Sequence, residues 1–370
     1  MKIGRSFPLF HQSRKIAMST YHIFAAFLAL LVAAPSQAHD VGQQEITISS
    51  NEPGRNLQVS VWYPAASGGK MSLIGDNRIF KGAPAAINAA PKKGSFPLLV
   101  MSHGSGGRVQ GMAWLATELA EAGFIVAAPN HPGTTSGDST PQDTPKIWQR
   151  TGDLSAVIDT MTTDPIWSTV TDKNKISVLG FSLGGAAAME IAGARASLDA
   201  YARYCDAYSK WDCGWYAGGV GYRNNEQIKV DKVDLRAIDK SRFEQSNLDR
   251  RVTAAVLVDP GLAQAYDDHS LASISIPMNF INLGEAGTVP PGVVADRLAT
   301  ITPLGTHVAV AGATHFSFLP ECKDGAVDLL KSLGEIDPIC SDEARRPRAD
   351  IHADITKLVL KALQKTEPKT

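Results

Sequence analysis

The stretch KISVLGFSLGGAAAMEIA, residues 175–192, decides the fold. Ile176, Val178 and Leu179 read as a buried strand, and Gly184 to Ala192 as an alanine-rich helix. Ser182 falls on the turn between them, with Gly180 and Gly184 two residues to either side. A turn this tight leaves no room for side chains at the two glycines. It holds the serine hydroxyl clear of the sheet and in line with a helix N-terminus. A serine in that setting is a candidate nucleophile, with a plain structural turn as the competing reading.

Outward from this segment, strand and helix keep alternating. FPLLVMSHGSGG (96–107) is a continuous apolar run breaking into glycines, and Met112 to Ala122 carries Leu115 and Leu119 at helical spacing. GFIVAAPNHPG (123–133) repeats the strand-then-loop pattern, and DLSAVIDTM is expected to start a helix with Asp153 as its N-cap. VTAAVLVDPG, IPMNFINLGEAG and THVAVAGATHFSF, from Val252 onward, give three more strands ending in polar loops. This rhythm predicts an α/β fold with a mostly parallel central sheet flanked by helices. LQVSVWYP (57–64) alternates like an outer strand closed by proline, and the next thirty residues, rich in Gly, Ala, Pro and Lys, read as a long loop. Between Gly193 and Arg250 the rhythm fails. That aromatic, cysteine-bearing stretch is expected to be a lid-like insertion over the sheet, of helix and loop, between the nucleophile helix and the sixth strand. Its Trp211, Trp215 and Tyr216 would either cover the substrate or pack the insertion's own small core. An amphipathic helix, Ile351 to Leu363, closes the chain.

The N-terminus has the layout of an export leader. Lys2, Arg5, Arg14 and Lys15 precede a twelve-residue apolar run, Ile23 to Ala34, followed by Ser36-Gln37-Ala38. Residues 1–38 therefore read as a signal peptide and 39–370 as the folded α/β domain, although Met18 would serve equally as a start. The run is short for a membrane span, so no stable insertion is expected after cleavage. Without the leader's four basic residues the formal charge moves from −1 to −5, and no Lys/Arg block offers a footprint for nucleic acid. Four cysteines, Cys205, Cys213, Cys322 and Cys340, all lie in the exported part. An even count in an oxidising compartment suggests two disulfides, and proximity favours Cys205 with Cys213 and Cys322 with Cys340 among three connectivities; four free thiols are the alternative. The second bond would close the loop after His315.

A serine hydroxyl needs a base, and His315 follows the last convincing strand, whose carboxyl end lies on Ser182's edge of a parallel sheet. His307 starts that strand, while His269 and His352 sit in a charged loop and on the terminal helix. The histidine in turn needs a carboxylate. Asp259, followed by Pro-Gly, is favoured over Glu285 and Asp296. Developing negative charge needs donors: the N–H of Leu183 is one, and the SHGSGG loop supplies another, assigned to Ser105. That loop lacks the G-K-[ST] of a phosphate cradle. His103 is an orienting residue rather than a base, and His103, Gly104 and His131 are expected to line the substrate site, with Asp138 beside His131. YDDHS (266–270) has a spacing too tight for a convincing metal site, there is no H-E-x-x-H, and no cofactor or metal is expected.

The order Ser182, Asp259, His315 with SHGSGG resembles the α/β-hydrolase superfamily. VWYP, NHPG, LVDPG and THFSF resemble its dienelactone-hydrolase-like and platelet-activating-factor acetylhydrolase-like branch. The resemblance covers nearly all of the chain after the leader except the insertion. It implies a serine esterase whose acid follows the sixth strand, at Asp259; many other superfamily members place it one strand later, where Glu285 stands. True dienelactone hydrolases use a cysteine nucleophile, and this elbow carries serine. The expected function is an exported serine hydrolase, secreted or periplasmic, acting on a small or lipid-like ester. Acyl transfer to another acceptor and a lipase or phospholipase activity are the alternatives, and a non-catalytic binding protein is disfavoured because every required residue type is present.

Overall fold

The computed structural model describes residues 40–52, 54–285, 287–341 and 346–364; the expected leader lies outside the described residues. In chain order the strands are β1 (Asp40–Ser49), β2 (Asn56–Ala65), β3 (Lys70–Ile74), β4 (Ala83–Ile87), β5 (Phe96–Ser102), β6 (Ile125–Pro129), β7 (Thr134–Thr135), β8 (Asp138–Ser139), β9 (Thr171–Phe181), β10 (Gly219–Arg223), β11 (Glu226–Val230), β12 (Val252–Val258), β13 (Met278–Leu283) and β14 (Gly305–Val310). The helices are α1 (Ala113–Glu121), α2 (Ile147–Thr163), α3 (Leu183–Ile191), α4 (Leu198–Ala207), α5 (Lys240–Phe243), α6 (Asp268–Ala272), α7 (Asp296–Ile301), α8 (Ala326–Ser332) and α9 (Arg348–Gln364).

Ten strands form one sheet in the order β14-β13-β12-β9-β5-β6-β2-β1-β4-β3. The run from β14 to β6 is parallel throughout. Its inner strands are buried on both faces, the edge strand β14 being largely exposed, and alternate side chains feed different cores. Leu98 and Val100 join the apolar cluster under α2 and α3, while Leu99 and Met101 join the one under α1 and α9. The same alternation sends Val178 to one side and Leu179 to the other. Parallel strands present their carboxyl ends together, so Ser102, Phe181, Val258 and Val310 finish on one rim of the sheet.

Three expectations are corrected. β2 is not an outer strand: it lies between β1 and β6, with Val59, Val61, Trp62 and Tyr63 at most 1% exposed. The stretch after Pro64 is not one long loop, because β3 and β4 pair within it and extend the sheet through β1. Small side chains made it look like linker, yet Ala85 and Ala86 are buried, and packing rather than strand propensity decided. Nor does Asp153 cap a helix. α2 begins at Ile147, and Asp153 lies inside it with 0% exposure, its carboxylate taken by Arg55, His131 and Ser50.

Residues 193–250 hold α4, β10, β11 and α5, joined to the body by a four-stranded sheet β11-β10-β8-β7. Tyr201, Tyr216 and Phe243 pack inside this segment, the Tyr201 and Tyr216 hydroxyls 3.0 Å apart. Trp215 donates its Nε1–H to Thr144 Oγ1 at 2.9 Å, while Trp211 is 57% exposed. Both disulfides have the favoured connectivity, Cys205–Cys213 and Cys322–Cys340. Among the described residues no helix is long and apolar enough to cross a membrane.

Candidate active site

The rim of the sheet is where the sequence placed its chemistry. β9 ends at Phe181 beside Val258 of β12, so the residues that follow, Ser182 and Asp259, leave neighbouring strands side by side. Ser182 has φ +54° and ψ −121°, a conformation that a non-glycine residue adopts only when its surroundings enforce it. The two flanking glycines show what enforces it. A Cβ at Gly180 would lie 2.0 Å from the Gly184 carbonyl oxygen, and one at Gly184 would lie 2.0 Å from that of Ser102. Backbone fills the space where side chains would go.

His315 opens the short turn His315–Phe318 beyond β14. Thr314 and Ser317 cap that turn reciprocally. Trp114 of α1 donates to the Phe318 carbonyl at 3.0 Å and stacks on His352 of α9 at 3.7 Å. His352 Nε2 lies 3.0 Å from the carbonyls of both Ser317 and Leu319 and so carries the proton that holds them. Burial keeps His352 neutral, its pKa pushed down to about 4. Phe181 packs on His315 with ring centres 4.8 Å apart.

With the loop so held, His315 Nε2 is 3.2 Å from Ser182 Oγ, and Nδ1 is 2.8 Å from Asp259 Oδ2. Asp259 is 0% exposed. Its other oxygen accepts the Leu283 N–H at 2.9 Å and the Asn282 amide at 2.8 Å. The carboxylate is therefore fixed from three sides and orders the imidazole as an Nδ1–H tautomer, leaving Nε2 free to accept the serine proton. Glu285 lies in an exposed loop past β13, and Asp296 is exposed at the start of α7. His307, three strands from Ser182, bonds Asn282 at 2.9 Å.

Leu183 is the first residue of α3, so its N–H has no acceptor within the helix. Ser105 is exposed on the loop after β5, and the neighbouring Gly104 lies against the nucleophile turn, where an added Cβ would be 3.2 Å from Ser182 Cβ. His103 and His131, expected to line the substrate site, are instead 2% and 0% exposed. Desolvation drives both pKa values down, that of His131 to about 4. They serve the structure beneath the loop because every ring nitrogen is already engaged. Asp138 is tied to the Gly133 N–H and to Arg223.

A second Ser-His-Asp constellation, one that sequence reasoning missed, sits under the first. Ser102 Oγ is 3.0 Å from His131 Nε2, and His131 Nδ1 is 2.8 Å from Asp153 Oδ2. All three residues are 0% exposed, and Arg150 donates to Ser102 Oγ at 3.2 Å. No substrate reaches that serine, whereas the His315 side chain keeps 18% of its surface open. The available signal was Ser102 and His131 closing neighbouring strand ends; nothing in the pattern distinguished Arg150. In YDDHS, Asp267 caps α6 and Asp268 pairs with Arg297, and among the described residues no group of three or more His, Cys, Asp or Glu is placed to hold a metal.

Residues 36–146 match the family model of platelet-activating factor acetylhydrolase, isoform II, and residues 95–203 match that of serine aminopeptidase, S33. Among solved structures, a ferulic acid esterase from Streptomyces cinnamoneus superposes with a TM-score of 0.57 at 19% identity, covering 90% of this chain and 92% of that one. The chain has the α/β-hydrolase fold. No curated protein matches the chain. The two family models overlap on residues 95–146, from β5 to the foot of α2, and the serine aminopeptidase match continues through the Ser182 turn.

Proposed function

We propose that this carboxylic ester hydrolase works through Ser182 as nucleophile, His315 as general base and acid, and Asp259 as the group that orients and stabilises the imidazole. The observation that carries this reading is the 3.2 Å approach of His315 Nε2 to a serine held in a strained, accessible turn. In the first step Ser182 Oγ attacks the ester carbonyl and its proton passes to His315 Nε2. The imidazolium is stabilised by Asp259 across the 2.8 Å contact. Charge gathers on the carbonyl oxygen, where the N–H groups of Ser105 and Leu183 receive it. His315 returns the proton to the departing alcohol. Water, activated by the same imidazole, then hydrolyses the acyl-enzyme by the reverse sequence of proton transfers.

The relatives' names suggest two ester classes to try first, acetyl esters and feruloyl esters. Residues 1–38 are proposed as an export leader and the folded part as a secreted or periplasmic domain, a reading that the two disulfides support. The segment 193–250 is proposed to border the site, with exposed Trp211 as its apolar surface, Tyr216 committed to its interior and Trp215 tied to Thr144 outside it.

The test is Ser182→Ala. It is expected to abolish turnover of p-nitrophenyl acetate and labelling by a fluorophosphonate while leaving thermal stability near that of the parent. Retained turnover would refute the assignment. Product analysis with added alcohols separates hydrolysis from acyl transfer, because only a transferase forms a new ester.

A further inference from the structure

We propose that Arg150, in the interior of α2, is a positioning residue for the oxyanion loop: together with the buried relay Asp153–His131–Ser102 it fixes the backbone of His103, Gly104 and Ser105 so that the Ser105 N–H is aimed beside Ser182. This rests on the reading of Ser105 as an oxyanion donor.

Arg150 is 1% exposed, an unusual place for a guanidinium. Burying a cation is costly unless it finds acceptors, and here those acceptors are neutral oxygens of Ser102, His103 and Thr134 rather than a direct carboxylate partner. Nη1 donates to the His103 carbonyl at 2.8 Å and to Ser102 Oγ at 3.2 Å, and Nε donates to Thr134 Oγ1 at 3.1 Å. The proton positions along the relay follow from its end. Asp153 already accepts two N–H groups of Arg55, so it is a carboxylate and takes the Nδ1–H of His131. His131 Nε2 must then accept, and Ser102 donates to it, which turns the Ser102 lone pairs toward Arg150.

The second half of the device is His103. Its Nε2 receives the His131 backbone N–H at 3.2 Å and its Nδ1 stands 2.7 Å from the Gly104 carbonyl, which can only accept, so the ring proton sits on Nδ1 and is donated to that carbonyl; the 3.3 Å approach of Arg150 Nη2 to the same nitrogen is then a contact and not a hydrogen bond. That carbonyl also accepts the Gly107 N–H at 3.1 Å. In a trans peptide the C=O and the following N–H point in opposite directions. Holding the Gly104 C=O from two sides therefore sets the direction of the Ser105 N–H, and Arg150 does the same for the preceding peptide through the His103 C=O. Gly104 lies against Ser182, which puts this fixed backbone next to the attacking oxygen. A donor acts in the transition state only if it is aimed before charge appears, so a loop without this support would bind ester as before and turn it over more slowly.

The experiment compares Arg150→Met, His103→Leu and His103→Asn in the full chain, each checked for folding by circular dichroism. Asn restores an N–H close to the position of Nδ1; Leu does not. Arg150→Met and His103→Leu are expected to lower kcat on p-nitrophenyl acetate by about ten- to a hundredfold, below the loss on deleting a donor outright, with KM within about threefold of the parent. Affinity for phenylboronic acid, whose serine adduct is tetrahedral, should fall in the same proportion as kcat/KM. His103→Asn should recover most of both. A folded Arg150→Met with unchanged kcat and unchanged boronate affinity overturns the proposal, as does a loss that His103→Asn fails to repair. If Arg150→Met does not fold, the His103 pair decides alone. Failure of the underlying triad is recognised separately, because the unmodified protein would then resist fluorophosphonate labelling.

Discussion

Two serines in this chain stand 3.2 and 3.0 Å from a histidine whose other nitrogen meets an aspartate at 2.8 Å, and the contacts alone do not tell them apart. Position does. Ser102 ends a strand in ordinary geometry with Arg150 on its oxygen, whereas Ser182 sits at φ +54° with its histidine open to solvent. The same helix that carries Leu183 holds another residue with an unusual state. Glu190 is 1% exposed, accepts the Asn247 amide on one oxygen at 2.8 Å, and its other oxygen is buried with no hydrogen-bond partner among the described residues. Burial pushes its pKa up to about 8. The folded protein thus keeps a proton that the unfolded chain releases from near pH 4.3 upward, so this carboxyl's contribution is intact at pH 4 and is lost as pH rises through 8. Glu190→Gln removes that penalty. It is expected to raise stability at pH 8 by on the order of 2 kcal/mol and to change little at pH 4, as read by urea unfolding at the two pH values.

At the scale of elements, His315, the proposed base, depends on a loop rather than on a strand, and three things hold it. Trp114 and His352 support the His315–Phe318 turn from α1 and α9. Arg348 ties the Pro320 and Ile339 carbonyls at 2.9 and 2.8 Å. The Cys322–Cys340 bond closes the loop across a separation of 18 residues. A loop of that length gains about 3 kcal/mol from cross-linking in the chain-entropy treatment. Replacing both cysteines by alanine should lower Tm accordingly. Because the turn itself is gripped upstream of the disulfide, kcat should fall much less than it does in Arg150→Met; a collapse of kcat at temperatures where the variant is folded would show that the staple, not the helices, sets the base. The parallel strands were legible because their apolar runs are uninterrupted. β3 and β4 were not: the alanines and proline of β4 carry no strand signal until the edge of β1 is there to pair with, and the short, largely exposed β3 pairs in turn on β4. Asp153 misled for a related reason: an aspartate at an apparent helix start usually caps, and only the folded arrangement of Arg55 and His131 showed that it is a buried counter-ion.

For the molecule as a whole, buried histidines set an acid limit. His103, His131 and His352 are all held neutral by desolvation, the last two with pKa values pushed down to about 4. Each takes up a proton near pH 6.5 when the chain unfolds but resists it when folded. Their contribution to stability is therefore complete above about pH 6.5 and is lost as pH falls toward 4, with a slope of up to about 1.4 kcal/mol per pH unit for each histidine. Urea midpoints measured from pH 7 down to 4.5 should fall continuously. His131→Gln should flatten that slope by about one histidine's share, and a midpoint flat across this range would show that these rings protonate in place.

The sequence by itself determined the parallel α/β architecture, the serine turn, the histidine beyond the last strand and the favoured cysteine pairs, because each is written in local patterns: apolar runs, glycines where backbone must approach closely, and short separations. Tertiary structure alone decided which acid meets His315, which of two Ser-His-Asp arrangements is open to substrate, and that Arg150 lies beneath the loop after β5. Those outcomes depend on burial and on which strand ends become neighbours, and these are properties of the folded sheet rather than of any segment of the chain.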